Sequence, residues 1–377
     1  MLMAYVSALL ACSSDSSTAT SDLLAAGVIH HEIYSVQGPW SVHVLEIDLP
    51  TAWAAGIRLE VAASSPTRAG ERTSTLAKGV IAAINGDFFF ASGRPLGMQI
   101  TEGVLRQEPH SRSAFVISPD GTPLIDVFRL RGGLITRSGR EFSVNGLNRR
   151  SVKRGASFFN SFAENSQDSV RADVGFKLQP LAAAVGVNDT VACRVLQVRR
   201  RSWPLRLDEN QWLAAFGAGD VDESISPGDT VEIYLNLPPS TRMLQEGVGG
   251  GPRIVRDGQV SIEYEREHLD YGFATDRNSR TAIGYTRDEK TMFLVTVDGG
   301  QPGYSVGMRL EELGNFMVGG LGDFTAVGQN AYQAMNMDGG GSSTMVVSGQ
   351  VANHPSDPIG ERPVGNVLLV IDRGNGE

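Results

Sequence analysis

Lysine is scarce in this chain. Of 33 basic residues only four (Lys78, Lys153, Lys177, Lys290) are lysine, so arginine carries nearly all the positive charge. Genome composition explains that excess most simply, although planar arginine forks also suit phosphate. Acidic residues outnumber basic ones, 42 to 33, and the formal net charge of −9 argues against a nucleic-acid surface. Cysteine is nearly absent. Cys12 follows a short apolar run and Cys193 lies inside another, contexts too unlike for a disulfide framework or a zinc site. The six histidines (His30, His31, His43, His110, His268, His354) are scattered without metal-ligand spacing.

What is present is an ordinary globular composition, 41% hydrophobic and 20% charged, on 377 residues, enough for one large domain or two. Glycine is abundant at 44 residues, as in a turn-rich chain of many short strands. The apolar run Met1 to Ala11 is too short to span a bilayer. It leads into Cys12 and a Ser/Thr-rich stretch, in the manner of a bacterial lipoprotein signal without a positively charged start. Residues 1–25 are therefore expected to be signal, lipidation site at Cys12 and tether, placing the protein in the cell envelope or outside it. Any membrane contact would run through that N-terminal lipid.

The folded part reads as alternating strands from about Val28, expected to pack on the core over 26–79, followed by one domain over 80–372. Val80 to Ile84 runs apolar into Asn85-Gly86-Asp87, and a second apolar approach ends in Asn336-Met337-Asp338. Residues two apart in extended chain face one side, so each Asn points with its Asp. The second pair continues as Gly339-Gly340-Gly341-Ser342-Ser343-Thr344. Three successive glycines are costly to order, and they suit a turn whose N–H groups form an anion-binding nest. The Ser and Thr hydroxyls can donate beside it. A plain hairpin turn is the simpler reading of the same residues.

Other stretches are less specific. Ile135 to Pro239 holds strand-like runs with little readable chemistry, and Trp203 to Phe216 reads as a strand then a short helix. Gly247 to Arg253 is a second glycine run without the Lys-Ser/Thr ending of a P-loop. Arg280 to Tyr285 and Thr291 to Val297 read as a hairpin ending in Asp298-Gly299-Gly300, and Ser305 to Met317 as a helix. Gly340 to Thr344 begins like a nucleophile elbow but lacks its last glycine.

Six segments together carry a family resemblance: Asn85 to Phe89, Gly250 to Pro252, Arg280 to Gly284, Val297 to Gly300, Asn336 to Thr344 and Arg362 to Asn366. In order and spacing they resemble the phosphodiester glycosidase family, over roughly Val80 to Ile371. That family includes a mammalian lysosomal enzyme that removes N-acetylglucosamine from its phosphodiester link to mannose 6-phosphate.

The resemblance implies hydrolysis of a sugar–phosphodiester at the anomeric carbon. Asp87, Asp298 and Asp338 would line the cleft, one of them attacking or activating water. Arg280 and Arg362 would hold the phosphate with bidentate geometry. Asn85, Asn336 and Asn366 would orient these groups or bind sugar hydroxyls. Gly339, Gly340, Gly341, Ser342, Ser343 and Thr344 would complete the anion site. No cofactor is required, and a carboxylate-bound Ca²⁺ beside the Asp-Gly motifs is compatible with the pattern. The expected architecture is α+β, with mostly antiparallel glycine-rich sheets and few helices whose motif strands converge on one pocket. The competing function is a non-catalytic envelope lipoprotein binding anionic polysaccharide, against which stand carboxylates that would repel such a ligand.

Overall fold

A computed structural model describes residues 17–64, 69–149, 152, 155–163, 172–200, 207, 208, 210–217 and 224–374. Cys12 lies outside them. The chain gathers into two compact units, one of residues 1–97, 111–126 and 248–377, the other of residues 98–110 and 127–247. Where the sequence reads as a single domain over 80–372, the low-chemistry middle thus forms a body of its own.

The first unit is built on two antiparallel sheets. Eight strands run in the order Ser17–Ala25, Val28–Ser35, Trp40–Asp48, Thr291–Val297, Arg280–Tyr285, Gln333–Asn336, Arg253–Arg256 and Gln259–Val260. Five more run Gln350–Val351, Met345–Val347, Ala82–Asn85, Asn366–Asp372 and Ile57–Ala63. Side chains alternate across a strand, and the sequence uses both faces. Leu45, Ile47, Ile283, Met292 and Leu294 face the second sheet's Leu59, Val61, Ile84, Leu368 and Val370 in one core. Val42, Val44, Phe293 and Val295 face the other way, where Leu310, Leu313, Met317 and Leu321 cover them. Strand Thr291–Val297 is accordingly buried along its whole length.

Residues 17–25, expected in the tether, instead form the edge strand, paired with Val28–Ser35 from Ser17↔Ser35 to Ala25↔Val28. Its burial alternates without any strongly apolar pattern, which is why it reads as linker. The expected helix over Ser305 to Met317 is shorter, spanning Leu310–Asn315 before a π-helical turn at Phe316–Gly320. Its first residues are held elsewhere. Ser305 Oγ donates to the Asp298 carbonyl at 2.6 Å, and Gly307 has φ +82°, outside helical backbone.

The second unit holds a seven-stranded antiparallel sheet in the order Glu141–Val144, Arg131–Ile135, Thr230–Asn236, Thr190–Arg200, Val174–Pro180, Trp212–Phe216, Ala156–Phe159. Trp212–Phe216, expected at the end of a strand-helix segment, is a fully buried strand. Cys193 is buried there as a free thiol, its pKa pushed up to about 12 by burial, and behaves as a small hydrophobe. The whole is mostly antiparallel β-structure with few helices, as the sequence implies.

Candidate active site

Antiparallel pairing explains how distant motifs meet. In such a ladder the end of one strand lies beside the start of its neighbour. Arg280 opens its strand opposite Val297, which closes its own, and Ala282 pairs with Asn336. In the second sheet Val367 pairs with Asn85 and Met345 with Ile84. The motif residues therefore gather at one edge of both sheets within the first unit.

Asn85 fastens the two sheets there. Its Nδ2 donates to the Asp338 carbonyl at 2.8 Å, while its Oδ1 accepts from Thr281 Oγ1 at 2.7 Å and from the Thr344 amide at 3.1 Å. The Met337 amide donates to the Thr281 carbonyl at 2.7 Å and the Asp338 amide to the Gly86 carbonyl at 3.2 Å. Asn366 fixes the next turn, accepting from the Asp87 amide at 2.8 Å through Oδ1 and from the Gly86 amide at 2.9 Å through its carbonyl. Asn85 and Asn366 are thus braces for the two aspartates. Asn336 donates to the Gly251 and Met337 carbonyls, yet its buried Oδ1 has no partner among the described residues.

Asp87 and Asp338 form an interacting pair. Asp87 is 2% exposed, and its Oδ2 accepts from the Gly97 amide at 2.6 Å. A Cβ on Gly249 would lie 2.6 Å from that oxygen, so the glycine gives the carboxyl its space. Burial raises the pKa of Asp87 to about 7, helped by the Asp338 charge and opposed by the Gly97 amide and Arg112. Burial also raises that of Asp338 to about 6, opposed by Ser342, the Gly339 amide and the Arg362 charge. The lower value at Asp338 favours its ionisation ahead of Asp87, and its charge then adds to burial in keeping the proton on Asp87. Two carboxyl groups set apart in this way can divide acid and base roles.

Each glycine of the triplet meets a different demand. A Cβ on Gly339 would come within 2.9 Å of the Ser279 carbonyl. Gly340 has φ +59°, a left-handed conformation that glycine adopts freely. A Cβ on Gly341 would fall 2.5 Å from Arg362 Nη2. The anion nest of successive amides does not form. The Gly339 amide is taken by Asp338 Oδ1, that of Gly340 by the Ser279 carbonyl, and those of Ser342 and Ser343 by Gly339 and Gly340. What remains unspent is the run of hydroxyls: Ser342 Oγ, Ser343 Oγ and Thr344 Oγ1 are buried and lack a partner of full hydrogen-bond geometry among the described residues. Ser342 still stands close enough to Asp338 to favour its ionised form. Buried polar atoms without partners are rare, and here they mark a place for a polar ligand.

The arginines divide. Arg362 lies over Gly341, is anchored by Asp357 Oδ2 at 2.8 Å and keeps a partly exposed guanidinium. Arg280, expected on the phosphate, is 1% exposed and spent on the fold. Its Nε donates to the Met308 carbonyl at 2.9 Å and its Nη2 to those of Phe273 and Asp276 at 2.9 and 2.7 Å. Strand position drives it inward, where main-chain carbonyls take its donors. Nothing in the sequence singles out Arg112, since Ser111-Arg112-Ser113 carries no motif. Its charge acts on Asp87, and its guanidinium sits 5.2 Å from the Phe88 ring centroid.

Asp298 is wholly buried and engaged on both oxygens. Oδ1 accepts from Asn353 Nδ2 at 2.9 Å and the His354 amide at 2.8 Å, and Oδ2 from Tyr304 Oη at 3.2 Å. Asn353 also donates to the Ser343 carbonyl at 3.1 Å and accepts from the Met345 amide at 2.7 Å. Asp298 therefore supports the loop behind the hydroxyl run rather than opening onto it. His43 Nε2, 3.9 Å from its Oδ2, belongs to an imidazole whose pKa burial lowers to about 4, which keeps it neutral. Among the described residues no three His, Cys, Asp or Glu side chains converge as a metal site, so the Ca²⁺ expectation finds no ligand set there.

The phosphodiester glycosidase family model matches residues 210–371. No curated protein matches the chain. Among solved structures, a hypothetical protein from Synechocystis is similar at TM-score 0.67 and 21% identity, over 92% of this chain and 62% of that one. This chain thus spans less than two thirds of that relative's length. A presumed exported protein of Burkholderia pseudomallei K96243 is similar at TM-score 0.63 and 19% identity, over 98% of this chain and 100% of its own. The zebrafish N-acetylglucosamine-1-phosphodiester alpha-N-acetylglucosaminidase catalytic domain, auto-inhibited by its pro-peptide, aligns at TM-score 0.47 and 16% identity, over 93% of this chain and 83% of that one. At these identities the two higher-scoring likenesses establish a shared fold. Over residues 210–371, which carry five of the six motif segments, this chain matches the phosphodiester glycosidase family.

Proposed function

We propose that this protein hydrolyses a sugar-1-phosphodiester at the anomeric carbon, an N-acetylglucosamine-1-phosphodiester-like link in an envelope or extracellular glycan. The observation that carries this reading is the Asp87–Asp338 pair, with pKa values raised to about 7 and about 6, beside unpartnered hydroxyls and the Arg362 guanidinium. The family match supplies the reaction class.

In this reading Arg362 and the hydroxyls of Ser342 to Thr344 hold the phosphate oxygens. Ionised Asp338 takes a proton from the attacking water as oxygen bonds to the anomeric carbon. The bond from that carbon to the bridging oxygen breaks, and the phosphate leaves with its electron pair. Protonated Asp87 donates to the leaving oxygen and adds no negative charge beside the anion while it keeps its proton. A phosphate needs less help in leaving than an alcohol does, so a carboxyl with a value near neutrality suffices. The N-terminal sequence supports delivery to the cell envelope or beyond, with Cys12 as the lipidated residue.

The test is release of free sugar from UDP-N-acetylglucosamine or a p-nitrophenyl sugar phosphodiester. Turnover abolished by Asp338→Asn, with the fold intact, is the expected result. Tight glycan binding without turnover of any phosphodiester overturns the proposal in favour of a binding lipoprotein.

A further inference from the structure

We propose that Arg112 is a second anion-binding residue of this site, taking an anionic oxygen of the substrate that Arg362 does not reach. The inference rests on reading the site as one for a phosphodiester. It begins from how the chain spends its buried guanidinium groups. Arg280 is consumed by three carbonyls. Arg253 Nη1 donates to Gln333 Oε1 at 2.5 Å and its Nη2 to the Ile125 carbonyl. Among the described residues Arg253 Nε is buried without a partner, as is Arg112 Nε, but Arg253 bonds through both Nη groups. Arg112 differs in making no side-chain hydrogen bond through any of its nitrogens among the described residues. A charged donor left this way is costly unless something else fills its place.

The surroundings hold Arg112 without using up its donors. Its guanidinium lies against Phe88, the residue after Asp87, and Phe88 meets Phe273 edge-on at 5.7 Å. A guanidinium at cation–π distance is attracted to the ring without spending an N–H donor on a hydrogen bond. The start of its side chain passes Gly251, where an added Cβ would stand 3.2 Å from Arg112 Cβ. Three carboxyl groups act on it: Asp87, Glu267 and Asp270. Glu267 is occupied, accepting from Ser113 Oγ at 2.5 Å and from the amides of Ser113 and Arg253, each at 2.8 Å. Asp270 is exposed to solvent, and Asp87 holds its proton to about pH 7. Arg112 acts on Asp87, Asp87 feels Asp338, and Arg362 acts on Asp338. Each carboxyl of the pair thus has its own arginine acting on it, Arg112 on Asp87 and Arg362 on Asp338.

The experiment is calorimetric titration of inorganic phosphate into wild-type protein, Arg112→Gln and Arg112→Lys, with circular dichroism to confirm the fold and steady-state kinetics on a sugar phosphodiester. The expected result is phosphate affinity weakened about tenfold or more in Arg112→Gln, as for loss of one charge-assisted bond. Arg112→Lys, which keeps the charge, should lose less, and KM should rise while kcat changes little. Should Arg112→Gln fold poorly, Arg112→Lys still decides, because losing the fork alone should weaken binding measurably. Phosphate affinity equal to wild type in the folded variants overturns the proposal, as does a fall in kcat with KM unaltered. Loss of phosphate binding in Arg112→Gln from a wild type that hydrolyses no phosphodiester sustains Arg112 and sinks the hydrolase reading. Hydrolysis by a wild type that binds no phosphate does the reverse.

Discussion

The Nδ2 of Asn85 donates to the main-chain carbonyl of Asp338 at 2.8 Å, joining residues 253 positions apart. Through this bond the two Asn-x-Asp segments become one structure, with Asn85 Oδ1 occupied by Thr281 and Thr344. Asn85→Asp removes the donor and places a carboxylate against a carbonyl. A buried group left unsatisfied costs about 1–3 kcal/mol, and more when charged. Thermal unfolding should show a lower Tm together with lost activity, and an unchanged Tm would remove Asn85 as the buckle.

Asp338→Asn and Asp87→Asn should each cut kcat by roughly 10²–10⁴-fold, the usual contribution of a positioned acid or base. Far-ultraviolet dichroism should match wild type. Asp298→Asn should behave otherwise. Its oxygens accept from Asn353, His354 and Tyr304, so its loss should lower Tm as well as activity.

The pair predicts a narrow pH optimum. With Asp338 ionised and Asp87 protonated in the active form, kcat/KM should rise as pH passes about 6 and fall as it passes about 7. These limbs belong to the coupled pair. A pH–rate profile tests this, and one flat from about pH 5 to about pH 9 contradicts the assignment.

The same shift bears on stability. The pKa of Asp87 rises from the ordinary 3.8 to about 7 in the folded protein. A raised folded value favours folding while the group is protonated, fully below the unfolded value, and that benefit is lost as pH climbs through the folded one. At about pH 8 the wild type therefore carries a penalty on the order of 4 kcal/mol, at about 1.36 kcal/mol per pH unit. Asp87→Asn should be the more stable protein in urea titration at about pH 8, with the advantage shrinking toward about pH 4.

Ser343 Oγ is buried and unpartnered among the described residues. Removing a hydroxyl that bonds to nothing costs little, so Ser343→Ala should keep or raise Tm while increasing KM. Gly341→Ala should act on KM in the same direction, since its Cβ meets the flexible end of Arg362. Gly339→Ala meets the fixed Ser279 carbonyl and should lower Tm. Equal effects of the two glycine substitutions on Tm would contradict this division.

Much of this protein is legible in its sequence. The polar turn Arg287 to Lys290 between two short strand-like runs marks the hairpin of Arg280–Tyr285 with Thr291–Val297, because both signals are local properties of the chain. The order of six motif segments points to the phosphodiester glycosidase family, and with it to Asp87 and Asp338. Residues 17–25 read as linker because the segment continues a Ser/Thr-rich stretch and, at the sheet edge, buries none of its side chains fully.

What tertiary structure alone decided is which way the donors point. No local pattern distinguishes Arg280, turned inward onto three carbonyls, from Arg362, which lies over Gly341 with its guanidinium partly exposed. Nor does any mark Arg112, whose role comes from Phe88 and Asp87 brought beside it by packing. The triple glycine announced a close approach, yet the Gly339 and Gly340 amides are taken by Asp338 and Ser279, and the hydroxyls that follow are the unfilled groups. The sequence determined strand periods and motif chemistry, which depend on neighbours in the chain. Burial, charge and hydrogen-bond saturation depend on neighbours in space, and only the folded molecule assigns those.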